Sequence, residues 1–331
     1  MLKENRISLP EIINVEIMTK CNLKCRHCKL QHEDIRTQKN LMPLDRFSNY
    51  MSRMEVIVKN ASEFMFSSVE PLLHPQLFEM MDIVSKINPG MSFPIQTNGM
   101  FLTESIIESM KSRNIPWASV ALDGYNQSSV EYFKVGSDFN LIISNIEKLR
   151  LGMPEDFVIR TVFVSHQGNI KKLPEYVRFC KKIGVDAVDI NGLLCFNKEL
   201  VSDTLYSYDG NEEAEKIFAE AKEIAKSEGI QFQYPELIPK IMGCEWKKIF
   251  SVDEDGNVAP CVMLSKQHPF YFLNSYTAGS QVLFGNIFER EPIEIWMDAD
   301  YVEFRKRLDS IHMPKQCLLC AEGHGVVCSN R

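Results

Sequence analysis

Three cysteines stand within eight residues of one another, at Cys21, Cys25 and Cys28. They directly follow a β-prone run at residues 14–18, so we expect them on the loop after a strand. The C-x3-C-x2-C spacing brings three thiolates into one small volume. A [4Fe-4S] cluster takes four ligands, so three thiolates leave one iron open to a small molecule.

Zinc is the alternative metal at this loop. Cys25, Cys28 and a neighbouring histidine could supply part of a tetrahedral zinc site. Zinc ribbons usually pair two C-x2-C elements, and the C-x3 spacing fits that pattern poorly. Disulfides are not expected, because the ten cysteines occur in a chain without a signal peptide, which indicates a reducing compartment.

The composition is that of an ordinary globular protein. The 331 residues are 45% hydrophobic, and 37 basic against 44 acidic residues give a net charge of −7. No basic stripe of the kind that binds nucleic acid is evident, and no apolar run approaches the roughly 20 residues that cross a bilayer. The first residues lack the apolar segment of a signal peptide. We therefore expect a cytoplasmic protein without nucleic-acid or membrane partners.

Short β-prone runs alternate with amphipathic helical runs through the first three-fifths of the chain. This alternation predicts repeated βα units around a parallel sheet. The strand candidates are Ile12–Met18, Glu63–Ser67, Ser92–Thr97, Trp117–Leu122, Phe157–Val164 and Ala187–Ile190. The expected fold class is α/β, with a partial (β/α)6 TIM-like barrel whose chemistry lies at the carboxyl ends of the strands.

The cysteine triplet, with His27 before the third cysteine, resembles the cluster motif of radical S-adenosylmethionine (radical SAM) enzymes. In that family the open iron binds the amine and carboxylate of SAM. The loop at residues 68–75 resembles the family's Gly-Gly-Glu-Pro element, although Ser68 and Val69 replace the two glycines. The resemblance implies that Ser68, Val69 and Glu70 contact SAM. A plain turn set by Pro71 is the alternative.

Three further loops resemble family elements in the expected order along the chain. Asn98 lies in a Thr-Asn-Gly element, and Asp123 lies in a Leu-Asp-Gly element whose usual serine is Ala121. Arg160 suits the SAM carboxylate because a guanidinium binds a carboxylate with two hydrogen bonds, but it could equally form a surface ion pair. Asn191 ends the sixth strand, where the family has its adenine contacts.

Four of the remaining cysteines form a second set. Cys244, Cys261, Cys317 and Cys320, with a Gly-Asn-Ile run and a tryptophan-containing helix between them, are similar to the SPASM and shorter twitch extensions of radical SAM enzymes. The resemblance implies one auxiliary [4Fe-4S] cluster on these four ligands, with structural zinc as the alternative. The predicted divisions are the barrel at 1–196, a linker helix region at 197–243 and a small α+β extension at 244–331.

Two cysteines remain as candidate hydrogen-atom donors to a substrate radical. Cys195 follows the sixth strand, at the end of the barrel where substrate would bind, and Cys328 lies near the carboxyl terminus. Cys328 could instead replace a cluster ligand. Cys180 falls on the apolar face of a helix and is expected in the core.

The family resemblance implies that one electron from a flavodoxin- or ferredoxin-like donor cleaves SAM to a 5′-deoxyadenosyl radical. An auxiliary cluster favours oxidation of a substrate, and a thiol donor favours epimerisation. Only twenty residues precede Cys21, whereas many peptide-modifying relatives have a recognition domain there, so a small polar biosynthetic substrate such as an aminosugar is expected. The alternatives are a maturase of ribosomally made peptides and a zinc-bearing, non-catalytic binding protein, which Ser68 and Ala121 favour.

Overall fold

The structure is a computed structural model that describes residues 8–29, 41–66 and 69–327. Its strands are β1 Ile12–Val15, β2 Glu63–Phe66, β3 Ile95–Thr97, β4 Trp117–Ala121, β5 Val158–Ser165, β6 Ala187–Gly192, β7 Gln231–Gln233, β8 Ile249–Val252, β9 Asn257–Ala259, β10 Phe270–Phe272, β11 Ser275–Thr277 and β12 Gly285–Asn286. Its α-helices are α1 Leu44–Arg53, α2 Glu55–Asn60, α3 Leu77–Ile87, α4 Glu104–Lys111, α5 Gln127–Glu131, α6 Phe139–Gly152, α7 Leu173–Lys182, α8 Glu212–Glu228, α9 Pro292–Trp296 and α10 Ala299–Arg307.

The six strands β1 to β6 run parallel and follow one another around a partial barrel. β1 pairs with β2, and β3 to β6 pair in chain order. A single parallel bridge between Glu63 and Ser92 joins the two groups. The parallel direction places the carboxyl ends of all six strands at one rim of the barrel.

Alternation along the strands sorts polar from apolar residues. Ile13 and Val15 of β1 are fully buried in the main core, where the surrounding helices pack. Asn14, between them, faces the other way, and its side chain donates to the Ser251 hydroxyl at 3.0 Å. The helices cover the apolar face, as Phe47 of α1 does by packing against Phe64 at 6.1 Å between ring centroids.

The carboxyl-terminal extension is continuous with the barrel sheet. β8 pairs in parallel with β1, and β9 and β12 extend the same sheet in antiparallel fashion. The Trp296 indole donates to the Ser8 carbonyl at 2.9 Å and further ties α9 to the start of the barrel. The extension is therefore built onto the first strand.

The expected α/β class, with a partial TIM-like barrel and a small extension, is confirmed. The additional parallel partners were not predicted: β7 adds to β6, and β8 adds to β1. Both are short, at three and four residues, and too brief to show a period in sequence. No helix in the described ranges is long and apolar enough to span a bilayer.

The junction between α1 and the β8–β9 hairpin gives a testable prediction. The buried Tyr50 hydroxyl donates toward the carbonyls of Asp253 and Glu254, at 3.2 and 2.7 Å. Tyr50→Phe removes this donor, while the Glu254 carbonyl keeps the Arg46 guanidinium and the Asp253 carbonyl keeps the Gly256 N–H, so the free energy of unfolding should fall by about 0.5–1.5 kcal/mol. Urea denaturation of the holoprotein measures the loss. Tyr208→Phe, at a 69% exposed position, is the matched control. Equal midpoints for both variants would contradict a stabilising role for the Tyr50 hydrogen bonds.

Candidate active site

The first cysteine loop lies at the barrel rim, directly after β1. Its backbone is held by the segment that follows α5: the Lys24 N–H donates to the Val135 carbonyl at 3.0 Å, and the Arg26 N–H donates to the Phe133 carbonyl at 2.8 Å. These two bonds hold the backbone of the irregular loop that carries the three thiols.

The three thiols lie close enough to affect one another electrostatically. Burial raises the pKa of Cys25 to about 11 against the pull of Lys134, and the neighbouring Cys28 and Cys21 sulfurs contribute to this rise. Burial also raises the pKa of Cys21. Half-buried thiols that repel one another as thiolates are suited to bind a positively charged iron centre, which stabilises the deprotonated form.

Glu70 connects the loops after β2 and β3. Its carboxylate accepts from the Thr97 hydroxyl at 2.7 Å, the Asn98 N–H at 2.7 Å and the Leu72 N–H at 3.3 Å. Burial raises its pKa to about 7 even though these three donors favour the ionised form. Glu70 therefore fixes the shape of the rim as well as being a candidate SAM contact.

Asn98 joins this network to the cysteine loop. Its amide donates to the Asn22 side-chain oxygen at 2.8 Å, and its own side-chain oxygen accepts from the Met100 N–H. Gly99 follows with φ of +82°, and a Cβ there would lie 2.8 Å from the Val120 side chain. The Thr-Asn-Gly turn therefore requires glycine at this position.

Asp123, in the loop that follows β4, forms a buried ion pair with Lys134. The two charged groups are 3.0 Å apart, and their side chains are 1% and 5% exposed. Burial alone would lower the pKa of Lys134, but Asp123 and the Cys25 sulfur outweigh burial and raise it. A fixed positive charge therefore lies beside the cysteine loop, and Asp123 is oriented by a further hydrogen bond from the Val164 N–H.

The other predicted SAM contacts lie in different surroundings. The Arg160 guanidinium binds both Asp189 carboxylate oxygens, at 2.8 and 2.7 Å, within the middle of the strands. Val69 packs against the main core. His27 lies against Phe133, and burial lowers its pKa to about 4. Ser68 lies outside the described residues. The roles of all four as SAM contacts stay predictions.

Asn191 lies at the rim end of β6, as its sequence position indicated. The next residue, Gly192, donates its N–H to the Val327 carbonyl at 2.8 Å. A Cβ at Gly192 would lie 2.0 Å from the Val326 carbonyl oxygen, so only glycine fits. The carboxyl-terminal segment of the extension therefore lies across this part of the barrel mouth.

The four cysteines of the second set line one cavity, together with Leu264, Phe304, Leu308 and Met313. Cys317 is buried and the other three are half-buried. Burial raises the pKa of Cys317 to about 12 and that of Cys320 to about 11. Four thiols in an apolar shell fit the ligand set of an iron–sulfur cluster.

A direct contact links the two cysteine sets. Lys29, next to Cys28, donates its ammonium to the carbonyl of Val262, next to Cys261, at 3.4 Å. The loop that carries the first cysteine set therefore touches the segment that carries Cys261.

A pair of carboxyl groups lies at the same junction. Glu16, directly after β1, contacts Glu254, and Lys266 lies 3.5 and 2.7 Å from the two carboxylates. Burial raises the pKa of Glu16 to about 8, helped by the Glu254 hydrogen bond and charge against Lys266 and Lys29. Burial would raise that of Glu254 as well, but the Glu16 hydrogen bond and Lys266 outweigh burial and lower it. At neutral pH the shared proton therefore stays on Glu16.

Sequence reasoning missed Lys134 and the Glu16–Glu254 pair. Lys134 belongs to no motif that the chain shows, and only the folded segment brings it to Asp123. Glu16 did carry a signal, since a carboxylate stands inside the apolar run of residues 12–18. A charge in such a run is rarely buried without a role.

The two candidate hydrogen-atom donors are Cys195 and Cys328. Cys195 is buried, its sulfur lies 3.4 Å from the Leu200 carbonyl, and its backbone bridges to Tyr271 of β10. Burial raises its pKa to about 12, so it stays a thiol at neutral pH. Cys328 lies outside the described residues. Cys180 is fully buried in the core, as expected.

Comparison with known proteins agrees with this geometry. The family model of the radical SAM superfamily matches residues 15–180, and that of SPASM, an iron–sulfur cluster-binding domain, matches residues 244–321. Among curated proteins, the tungsten-containing aldehyde ferredoxin oxidoreductase cofactor-modifying protein of Pyrococcus furiosus is 26% identical over 88% of this chain and 82% of its own length. The AdoMet-dependent heme synthase of Methanosarcina barkeri is 25% identical over 94% and 88%.

Solved structures share the fold. SuiB of Streptococcus suis bound to S-adenosylmethionine superposes with a TM-score of 0.67 at 16% identity, covering 91% of this chain and 68% of SuiB. Native anSMEcpe with bound AdoMet gives a TM-score of 0.65 at 17% identity, covering 96% and 89%. The radical SAM match implies a [4Fe-4S] cluster and SAM as cofactors, and the SPASM match implies auxiliary iron–sulfur ligation.

The protonated state of Glu16 predicts a pH dependence of stability. A folded-state pKa of about 8 against an ordinary 4.5 means that the folded protein binds one more proton than the unfolded chain between these values. The contribution of Glu16 to the free energy of unfolding therefore falls as the pH rises through this window. Glu16→Gln removes the titration, so its urea midpoint should fall less than that of the wild type between about pH 5 and about pH 8.

Glu220→Gln, at an exposed position of α8, is the control and should keep the wild-type slope. Infrared spectroscopy provides a second measurement: the carbonyl band of protonated carboxyl groups at neutral pH should be weaker in Glu16→Gln than in the wild type, with the Glu70 contribution present in both. Identical pH slopes and spectra for Glu16→Gln and the wild type would contradict a proton on Glu16.

Proposed function

Because the chain belongs to the radical SAM superfamily, we propose that this radical SAM enzyme oxidises or epimerises a small polar biosynthetic substrate. The observation that carries the proposal is the contact between the segments of the two cysteine sets, in which Lys29, next to Cys28, donates to the carbonyl of Val262, next to Cys261. Cys21, Cys25 and Cys28 would hold the SAM-binding cluster, and Cys244, Cys261, Cys317 and Cys320 one auxiliary cluster. Bound SAM supplies the radical that removes a substrate hydrogen atom.

The rim residues have separate tasks in this proposal. Glu70 is already bonded to three donors, and it retains acceptor capacity for the SAM amino group, since a carboxylate offers about four lone-pair positions. Lys134, held by Asp123, supplies positive charge beside the thiolates. Asn98 keeps the cysteine loop in register with Glu70 through Asn22.

Oxidation of an alcohol or amine also requires a base, because the substrate radical must lose a proton from its hydroxyl or amine group, while its unpaired electron would pass to the auxiliary cluster. The Glu16–Glu254 pair is suited to this task. Glu254, charged beside Lys266, can accept a proton, and Glu16 can pass one on. For epimerisation the chain needs a hydrogen-atom donor instead, and Cys195 carries a thiol that burial keeps protonated.

A peptide substrate is the second candidate. Structures similar in fold include SuiB bound to its precursor peptide SuiA and anSMEcpe with the Cp18Cys peptide, at TM-scores of 0.65 and 0.63. Identities of 14% and 16% limit this support to the fold. A precursor-peptide gene beside the gene for this protein would favour peptide maturation over a small substrate.

The cluster assignment predicts different defects for Cys25→Ala and Cys317→Ala. Anaerobically purified wild type should contain about eight irons with matching sulfide, and each ligand variant should lose about four. Cys25→Ala should abolish 5′-deoxyadenosine formation from SAM and dithionite. Cys317→Ala should keep the SAM-induced change in the electron paramagnetic resonance signal of the remaining cluster. Cys180→Ala, in the core and away from both sets, is the control and should keep all the iron.

Two results would defeat the proposal. Zinc without iron in the wild type would favour the non-catalytic binding protein. Unchanged 5′-deoxyadenosine formation in Cys25→Ala would remove the first cysteine set from the radical chemistry.

A further inference from the structure

The solvent side of the first cysteine loop is polar and cationic. The cysteines at 21, 25 and 28 are half-buried, whereas Lys20, Asn22, Lys24 and Arg26 alternate with them and are exposed. The chain therefore presents three cations on the outer face of the loop and its thiols on the inner face. A centre held by these half-buried thiols would therefore lie close to the exposed side of the loop.

Exposed apolar side chains border these cations. Leu41, Tyr132 and Val135 are 41%, 52% and 36% exposed. Each is attached to the loop: Leu41 bridges to Met18, the Val135 carbonyl accepts from Lys24, and Tyr132 lies under the Arg26 guanidinium at 4.9 Å from its ring centroid. A small patch of apolar contacts and charges is typical of transient electron-transfer interfaces.

The charge of this surface opposes that of the whole chain. The protein carries a net charge of −7, so an acidic partner meets overall repulsion. Within the described residues neither Lys20 nor Arg26 forms an ion pair. Two acidic side chains of the described residues lie at this surface: Glu131, which binds Gln127, and Glu199, which shares a surface pocket with Arg26. Among the described residues the three cations outnumber these two carboxylates, so the surface can attract an acidic partner that the rest of the protein repels.

We propose that the patch formed by Lys20, Lys24, Arg26, Leu41, Tyr132 and Val135 is the docking surface for a small acidic one-electron carrier protein. This docking patch lies over the thiols, and one electron would pass from the carrier, oxidised by one unit, to the centre that they hold, reduced by one unit. The inference rests on the proposed function, because it assumes a reducible cluster at Cys21, Cys25 and Cys28. Lys20 and Lys24 steer the carrier, and the apolar residues give short-range contact.

The test compares a protein donor with a small-molecule donor. Lys20→Glu/Lys24→Glu reverses two charges of the docking patch and leaves Arg26 and its pocket unaltered. Lys181→Glu/Lys182→Glu makes the same charge change at the end of α7, which leads into the amino end of β6 and so lies at the opposite end of the barrel. Holoenzymes are mixed with reduced flavodoxin or reduced ferredoxin, and the second-order rate of carrier oxidation is followed by stopped-flow absorbance. Dissociation constants of the oxidised carriers are measured by titration.

We expect the patch variant to react with at least one carrier about tenfold or more slowly than the wild type at low salt, and to bind it correspondingly more weakly. The wild-type rate should fall as salt is raised, and the patch variant should lose most of this dependence. The α7 variant should behave as the wild type. The carrier that shows the difference identifies the donor class.

Dithionite-driven 5′-deoxyadenosine formation distinguishes impaired carrier docking from damage to the cluster site itself. If it is normal in the patch variant while carrier oxidation is slow, the docking proposal stands. Equal carrier rates in patch and α7 variants overturn it, and so does a patch variant that is slowed equally with dithionite. If charge reversal lowers the iron content, Lys20→Gln/Lys24→Gln is used as the test variant. It should slow carrier oxidation less than charge reversal does, with the same change in salt dependence. A wild type that yields no 5′-deoxyadenosine with dithionite refutes the proposed function instead, and carrier binding still reports on the docking patch.

Discussion

The parallel pairing of β1 with β8 determines how the two halves of this protein meet. β1 leads into the first cysteine loop, and β8 leads through a hairpin to Cys261. Because the strands are parallel and in register from Ile12 opposite Ile249 to Val15 opposite Val252, their carboxyl ends reach the same rim. The next residues of each chain segment, Glu16 and the Asp253–Glu254 turn, are thereby brought side by side. Two distant cysteine sets become neighbours through four backbone pairs.

Burial of charge around the cysteine loop follows from this geometry. Lys134 is almost fully enclosed, and an isolated ammonium there would cost several kcal/mol in lost hydration. Asp123 at 3.0 Å offsets that cost, and the sulfurs of Cys25 and Cys28 favour the same positive charge. If all three thiols ionise, their negative charges and that of Asp123 outnumber the single positive charge of Lys134. That deficit is a physical reason for the site to take a cationic metal centre.

The barrel and both cysteine sets could be predicted from the sequence because their signals are local. Strand alternation, the Thr103 cap of α4 and the left-handed Gly229 after α8 each depend on a few adjacent residues. The pairing partners of β7 and β8 could not be predicted, since a three- or four-residue strand does not specify which neighbour it will join.

Lys134 and Glu254 reach the site only through tertiary contacts, with Tyr50 and Arg46 of α1 holding the Glu254 carbonyl. Arg160 shows the opposite case, in which the residue type suggested a ligand and the fold supplied Asp189 as its partner.

Burial is the main cause of the raised pKa of both buried carboxyl groups at the rim, Glu70 and Glu16, and their neighbours separate their roles. Glu70 is surrounded by donors, from Thr97, Asn98 and Leu72, which all favour its ionised form against burial. A positively charged ligand nearby would favour ionisation further, so Glu70 is suited to bind and orient such a ligand.

Glu16 instead faces another carboxyl group, and two carboxylates in contact cannot both ionise without strong repulsion. Since Lys266 lies closer to Glu254 than to Glu16, the charge stays on Glu254 and the proton on Glu16. A site that must both hold a cofactor and move a proton needs one carboxyl group of each kind, and only the second can exchange a proton near neutral pH without dismantling the loops that Glu70 connects.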